Sequence, residues 1–235
     1  MTRPRLAADV VEAIRRERTA PRMTDPHGLH LRRLLRGLDR ATASLSDADG
    51  PVVDVFCGTQ PYRDRWPWRP VFGLDLDVHF GAADLIGDAR LPVATSAVGG
   101  AVCTQALYFI RDGKALVDEL QRVVAPGGFA LISVPSRFRR ERAAFERRYT
   151  RQDLARLFSA WQSVRLYGEG GPGTGLAYAL GQLLRAVERR LPATRRVVRV
   201  ECAAVNLVGT VVDVVTRPLG LDPAIIVLTA RRPAR

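Results

Sequence analysis

The sequence predicts an α/β domain: a mostly parallel, doubly wound sheet with helices on both faces. Two observations carry that expectation. From residue 52 onward, short apolar runs alternate with stretches of helical period, the pattern of strand–helix crossover units. The helical stretches are also punctuated as such units require, by a capping pair at Thr150 and Asp153 and by the stop Ala125-Pro126-Gly127-Gly128. At 235 residues, 47% of them apolar, the chain is long enough for one large core.

The elements follow in order. Residues 1–45 read as a helical extension packed on the core, with Leu29, Leu31, Leu34, Leu35 and Leu38 forming an apolar stripe at helical spacing. SDADGP at 46–51 is a loop into the first strand. Strands are expected at Val52–Val55, Val71–Leu74, Ala97–Cys103, Phe129–Val134, Ser163–Tyr167 and Ala224–Thr229, and helices at Gly113–Val124 and Thr150–Ala160. Residues 46–235 thus form the main domain. Within it, 170–221 interrupts the rhythm with the flexible GEGGPGTG and two helical stretches, Leu176–Leu191 and Arg199–Thr216. This insertion precedes the last strand and is either a lid over the carboxyl edge of the sheet or a packing appendage.

Composition narrows the class. Cys57, Cys103 and Cys202 are widely spaced, so no disulfide framework and no metal cluster is implied, and a reducing cytoplasm is expected. The opening MTRPRLAADVVEAIRRERTA is charged and has no signal-peptide core, and Cys202–Val215 is interrupted by Asn206, Gly209 and Asp213, so a soluble protein is expected. The net charge of +12 invites a nucleic-acid reading, but Lys114 is the only lysine, an arginine bias that a high-GC genome also produces. The arginines are scattered, including RFRRER at 137–142, and no aromatic platform accompanies them. Nucleic acid is therefore disfavoured as a partner.

The chemistry begins at PVVDVFCGTQPYRDR, residues 51–65. A strand carrying an acid, Asp54, runs into the small turn Cys57-Gly58-Thr59; with a following helix this is a generic cofactor cradle, and one glycine makes it a weak signal. The next strand ends in Asp75-Leu76-Asp77, about 20 residues on, the interval at which an acid grips a ribose diol. Gly87-Asp88-Ala89-Arg90-Leu91-Pro92 follows, then Thr104-Gln105 after the fourth apolar run, then RVVAPGGFALISVP at 122–135.

Taken together, the series Asp54/Gly58, Asp75, Asp88 and the PGG turn resembles the class I S-adenosylmethionine-dependent methyltransferases, in their small-molecule branch. The resemblance covers 49–136 and, more loosely, 147–158 and the final strand. It implies a Rossmann-like, seven-stranded sheet and S-adenosyl-L-methionine as cofactor. By the same resemblance, Asp54, Cys57 and Gly58 cradle the methionine portion and Asp75 takes the ribose hydroxyls. Asp88 meets the adenine amino group with the Ala89 amide near the ring, and Thr104 and Gln105 lie where the methionine amine and the acceptor pocket meet. Two positions depart from the family, which commonly has glycine at Phe56 and Gln60; the bulk of Phe56 must turn away from the cofactor or narrow its site.

Methyl transfer needs alignment and a dry pocket more than a protein acid or base. Acceptor-side candidates are Tyr108, Tyr149 and Asp153, and His27 and His30 could reach the site from the N-terminal helix; the chain has only three histidines, with His79 in a loop. One lysine cannot supply a ribose methyltransferase's lysine pair, and no (Asp/Asn)-Pro-Pro-Tyr segment or Pro-Cys nucleophile is present. A small-molecule or glycan substrate is expected. The alternatives are a catalytically degenerate, cofactor-binding interaction protein, or a basic enzyme docking on RNA or in peripheral contact with a membrane through the apolar stretch Leu207–Val215.

Overall fold

The structure, a computed structural model, describes residues 4–45, 49–68, 70–88, 90–136 and 145–234. Its centre is a sheet of seven strands: β1 (Val52–Val55), β2 (Val71–Asp75), β3 (Leu85–Ile86), β4 (Val98–Thr104), β5 (Val124–Pro135), β6 (Gln162–Glu169) and β7 (Ile225–Arg231). The order across the sheet is β3-β2-β1-β4-β5-β7-β6. β1 to β5 pair in parallel, and β7 runs antiparallel between β5 and β6. The sheet is therefore mostly parallel, with one reversed strand. β3 has no apolar run to announce it and is defined by its pairing, Leu74 with Leu85 and Asp75 with Ile86.

All four residues of β1 are buried, because both faces of the sheet are covered. Val53 and Val55 turn to one side, into a core shared with α3 (Gly113–Val123) and α4 (Arg151–Leu157). Val52 turns to the other, into a core shared with the leucines of α2 (Gly28–Ala43). The leucine stripe read from the sequence is the buried face of α2. Gly37 lets that helix settle on β7: a Cβ there would lie 2.9 Å from Val227 Cγ2. α4 begins with the expected capping box, in which the Asp153 amide donates to Thr150 Oγ1 at 3.1 Å and the Thr150 amide donates to Asp153 Oδ2 at 2.9 Å.

One expectation is corrected. Among the described residues, no α-helix follows the first loop; those of the β1–β2 connection hold a single 3₁₀ turn, Arg63–Arg65. Prolines at 61, 67 and 70 prevent a sustained helix there. Its volume is supplied by Tyr62, Trp66 and Trp68, all buried, with Trp68 packed on Phe129 at a ring separation of 4.4 Å.

Helices α5 (Pro172–Arg190) and α6 (Arg195–Thr216) form a hairpin between β6 and β7. Their crossing is close: a Cβ on Gly173 would lie 2.0 Å from the Gly209 carbonyl oxygen. Asp213 of α6 accepts the Gly171 and Thr174 amides at 2.9 Å each and the Thr174 hydroxyl at 2.6 Å, capping the start of α5. Asn206 donates to the Met23 and Asp25 carbonyls at 2.7 and 3.0 Å, tying the hairpin to the segment before α2. Among the described residues, no helix is long and apolar enough to cross a membrane.

Candidate functional site

The parallel strands β1, β2 and β4 end at one edge of the sheet, and a cavity of about 300 Å³ opens there, at the lower end of the range for small-molecule sites. Phe56, Cys57, Gly58 and Thr59 line it from the end of β1, Asp75 and Leu76 from β2, and Thr104 and Gln105 from β4. Tyr108, Phe109 and Phe80 add aromatic walls. Of the residues named from the sequence, the fold thus gathers Cys57, Gly58, Asp75, Thr104, Gln105 and Tyr108 around one space.

The loop is held by the acid across from it. The Asp75 carboxylate accepts the Gly58 amide and the Leu76 amide at 2.8 Å each. A carboxylate has about four acceptor positions, so two are left for a ligand. Gly58 adopts φ +56°, and a Cβ placed on it would meet nothing within 4 Å, so the backbone faces open space. By contrast Asp77 turns back to its own loop, accepting the His79 amide at 2.8 Å, and does not line the cavity.

Phe56 and Gln60, the two positions where glycine was expected, both keep a glycine-like backbone, with φ of 56° and 49°. Gln105, at the end of β4, does the same at 54°. Left-handed backbone is rare for bulky residues and gathers at functional sites. Gln105 is over-determined by Ser133: its amide donates to the Ser133 carbonyl at 2.9 Å and its side chain to Ser133 Oγ at 3.2 Å. Phe56 is half-buried; it packs on the core between the sheet and α3 while also walling the cavity. It narrows the site without filling it.

Asp54 lies beneath the loop, buried, with Oδ1 lacking any hydrogen-bond partner. Burial, and secondarily the negative Asp75, push its carboxyl up to about 7. Burial also pushes the Cys57 thiol far above its ordinary value and the Cys103 thiol up to about 12, so neither is a thiolate nucleophile near neutral pH.

The remaining candidates lie elsewhere. Asp88 stands at the same sheet edge, just past β3, but is exposed and accepts the Arg90 amide at 3.0 Å rather than lining the cavity. Its turn is tight, since a Cβ on Gly87 would lie 2.5 Å from Pro92 Cδ. Ala89 and the 137–142 arginines are outside the described residues. Tyr149 is a core side chain, its hydroxyl against Gly113, and Asp153 is spent on its capping box; neither lines the cavity. His27 and His30 pack on Tyr178 of α5, at ring separations of 4.7 and 4.9 Å, and do not line it either.

The cavity's roof is made by residues that the sequence motifs did not single out. It comes from α1 (Ala8–Thr19), which contributes Ile14 and Arg18, while α5 and α6 contribute nothing. α1 is fastened by Arg15, whose Nε donates to the Thr59 carbonyl at 2.7 Å, and by the Leu6 amide, which donates to the His79 carbonyl at 2.8 Å. Glu17 meets Arg185 of α5 at 2.8 and 3.0 Å. The contact with His27, then that with Arg185, holds the Glu17 carboxyl down at about 2 against the opposing effect of burial. The sequence signal was the spacing of Ile14 and Arg18, four apart on one face of a helix otherwise dominated by charge.

The fold is that of the class I S-adenosylmethionine-dependent methyltransferases. A SAM-dependent methyltransferase from Thermotoga maritima superposes with a TM-score of 0.57 at 13% identity, over 95% of each chain. Geranyl diphosphate C-methyltransferase from Streptomyces coelicolor A3(2), solved with S-adenosyl-L-homocysteine, gives 0.53 at 15% identity, over 86% of this chain and 79% of that one. The [4+2]-cyclase SpnF gives 0.55 at 17%, over 85% of this chain and 82% of that one. No protein-family profile matches the chain, and no curated protein matches it significantly.

Proposed function

We propose that the chain is an S-adenosyl-L-methionine-dependent methyltransferase acting on a small molecule, a sugar or a biosynthetic intermediate. The observation that carries this reading is the strand-end cavity, where Asp75 clamps the open Gly58 loop under aromatic walls. These residues fit the cofactor. Asp75 keeps acceptor positions for ribose hydroxyls, Gly58 leaves its backbone approachable, and Asp54 holds an unpartnered oxygen below the loop. Asp88, just past the neighbouring strand end, is assigned to the adenine, and by the family resemblance so is the Ala89 amide. Arg18 is suited to the carboxylate of the methionine portion, and Thr104 and Gln105 to its amine.

When bound, S-adenosyl-L-methionine supplies a sulfonium-activated methyl group. The chain's residues do the rest by position. Phe56, Phe80, Tyr108 and Phe109 give the cavity an aromatic lining, a surface that favours a cation and excludes water. No histidine or lysine is among the lining residues, so the acceptor is one that arrives already nucleophilic, or one that uses Tyr108 as its hydrogen-bond partner.

A second reading has a specific observation behind it: the cyclase with this fold, together with the narrowing by Phe56, suits a protein that holds the cofactor without spending its methyl group. Incubation with methyl-labelled cofactor and a fractionated small-molecule extract separates the two. Label leaving the cofactor for a new small molecule supports transfer; a bound cofactor that keeps its label under all fractions supports the second reading.

A further inference from the structure

α6 is folded inside out. Its buried stripe runs through Val198, Cys202, Asn206, Gly209 and Asp213, at spacings of three and four. Polar and small side chains therefore face the protein, where Asn206 and Asp213 spend their hydrogen bonds on the α2 approach and the α5 cap. The apolar residues face outward: Val200 is 70% exposed, Val215 69%, and Leu207, Val208 and Val211 are exposed between them. α5 does the same, with Leu176, Leu180, Leu183 and Val187 on one exposed stripe. Of the 19 large hydrophobic side chains exposed in the molecule's described residues, 14 lie between Leu176 and Leu221. Such concentration is not the scatter of an ordinary surface.

The face has a predominantly cationic rim. The exposed charges of residues 172–219 are Arg189, Arg190, Arg195, Arg196, Arg199 and Arg217, with Glu201 the single exposed acid. Five of the arginines flank the α5–α6 turn and Arg217 stands at the far end of α6, roughly 33 Å away along its 22 residues. Between the helices a largely apolar groove of about 410 Å³, walled by Leu180, Leu183, Leu184, Ala204 and Val205 with Glu201 as its one acid, opens on the same face. None of these residues lines the strand-end cavity.

We propose that this face docks on an anionic lipid surface, the apolar stripes entering the acyl boundary, the groove taking a chain and the arginines meeting headgroup phosphates. A long amphipathic face with cationic flanks and too few apolar residues in a row to span is the signature of in-plane membrane binding. Charge decides against the competing occupant. A second copy related by a two-fold axis would bring one arginine rim against another, whichever way the helices ran. An anionic surface removes that repulsion. The dock needs no cofactor, so its test stands apart from the proposed methyl transfer.

The test uses the full chain in flotation with vesicles of phosphatidylcholine alone and of phosphatidylcholine mixed with phosphatidylglycerol, beside sedimentation velocity without lipid. The wild type is expected to float with the mixed vesicles, to bind the neutral ones far less, and to be released by salt. L207E/V211E and R195A/R196A are each expected to lose binding by on the order of tenfold or more. Both sets of side chains are exposed, so near-UV circular dichroism should match the wild type. Three results overturn the proposal: a dimer that L207E/V211E dissociates without any lipid binding; lipid binding that neither variant weakens; or a monomer that ignores both vesicles.

Discussion

Asp75 Oδ2 accepts the Gly58 amide at 2.8 Å, so the acid at the end of β2 holds the loop at the end of β1 in place. One carboxylate thereby shapes the cavity and keeps acceptor positions facing it. The neighbouring Asp77 is close in sequence and plays no part in the cavity, because its oxygen is turned to the His79 amide. The two acids therefore make a built-in comparison.

Asp75→Ala should weaken S-adenosylhomocysteine binding by at least about tenfold, since hydrogen bonds to a charged acceptor contribute roughly 1.5–3 kcal/mol. Asp77→Ala should stay within about twofold, as its side chain is half-buried, turned to the His79 amide and off the cavity. Isothermal titration of both variants checks this; equal losses would remove Asp75 from its assigned place.

Phe56 carries a strained φ of 56° and a packed ring, and the two effects oppose each other. Phe56→Ala keeps the unfavourable backbone and loses the packing. Phe56→Gly loses the packing but relieves the backbone. The glycine variant should therefore be the more stable of the two, by about 1 kcal/mol. Urea melts of the pair give the answer directly, and an alanine variant as stable as the glycine one would contradict the strain.

Asp54 gives the protein a pH signature. Its carboxyl is raised in the folded state, from 3.8 to about 7, so the folded protein holds this proton more tightly than the unfolded chain. That contribution to stability is complete below the ordinary value and is lost as pH rises through about 7. Thermal melts across this range should show a downward slope in the wild type that Asp54→Asn flattens. If the cofactor's ammonium lies near Asp54, it favours the ionised form, so wild-type affinity should climb through the same range and the variant's should not.

Arg18 reaches the cavity only because α1 is fastened across it, by Arg15 to Thr59 among other bonds. Arg18→Ala should weaken a ligand with a free carboxylate by about tenfold and leave adenosine binding unchanged. Competition between S-adenosylhomocysteine and adenosine separates these outcomes; equal losses for both would point to a general loosening of the roof.

The sheet was legible where strand ends carry acids and helices carry caps. The strands at Val52, Val71 and Phe129, and the box at Thr150 and Asp153, announce themselves through local pattern. Three features did not, and each depends on distant contacts. β3 is only two residues long and exists because Leu85 and Ile86 pair with β2. The aromatic plug of Tyr62, Trp66 and Trp68 stands where a helix was expected, since proline spacing alone does not say what fills the space. The outward face of α6 was hidden as well: Asn206 and Asp213 read as interruptions of an apolar helix, when they are its inward stripe. In the candidate site, the strand-end residues followed from motif spacing. Ile14 and Arg18 did not, because nothing in a charged N-terminal helix says which loop it will cover.

The most direct test of the central claim is a calorimetric titration of the folded wild-type protein with S-adenosylhomocysteine, repeated with Asp75→Ala. The cavity at the strand ends predicts saturable one-site binding that the variant loses. A folded wild type giving no binding up to millimolar ligand, or binding that Asp75→Ala leaves intact, would contradict it.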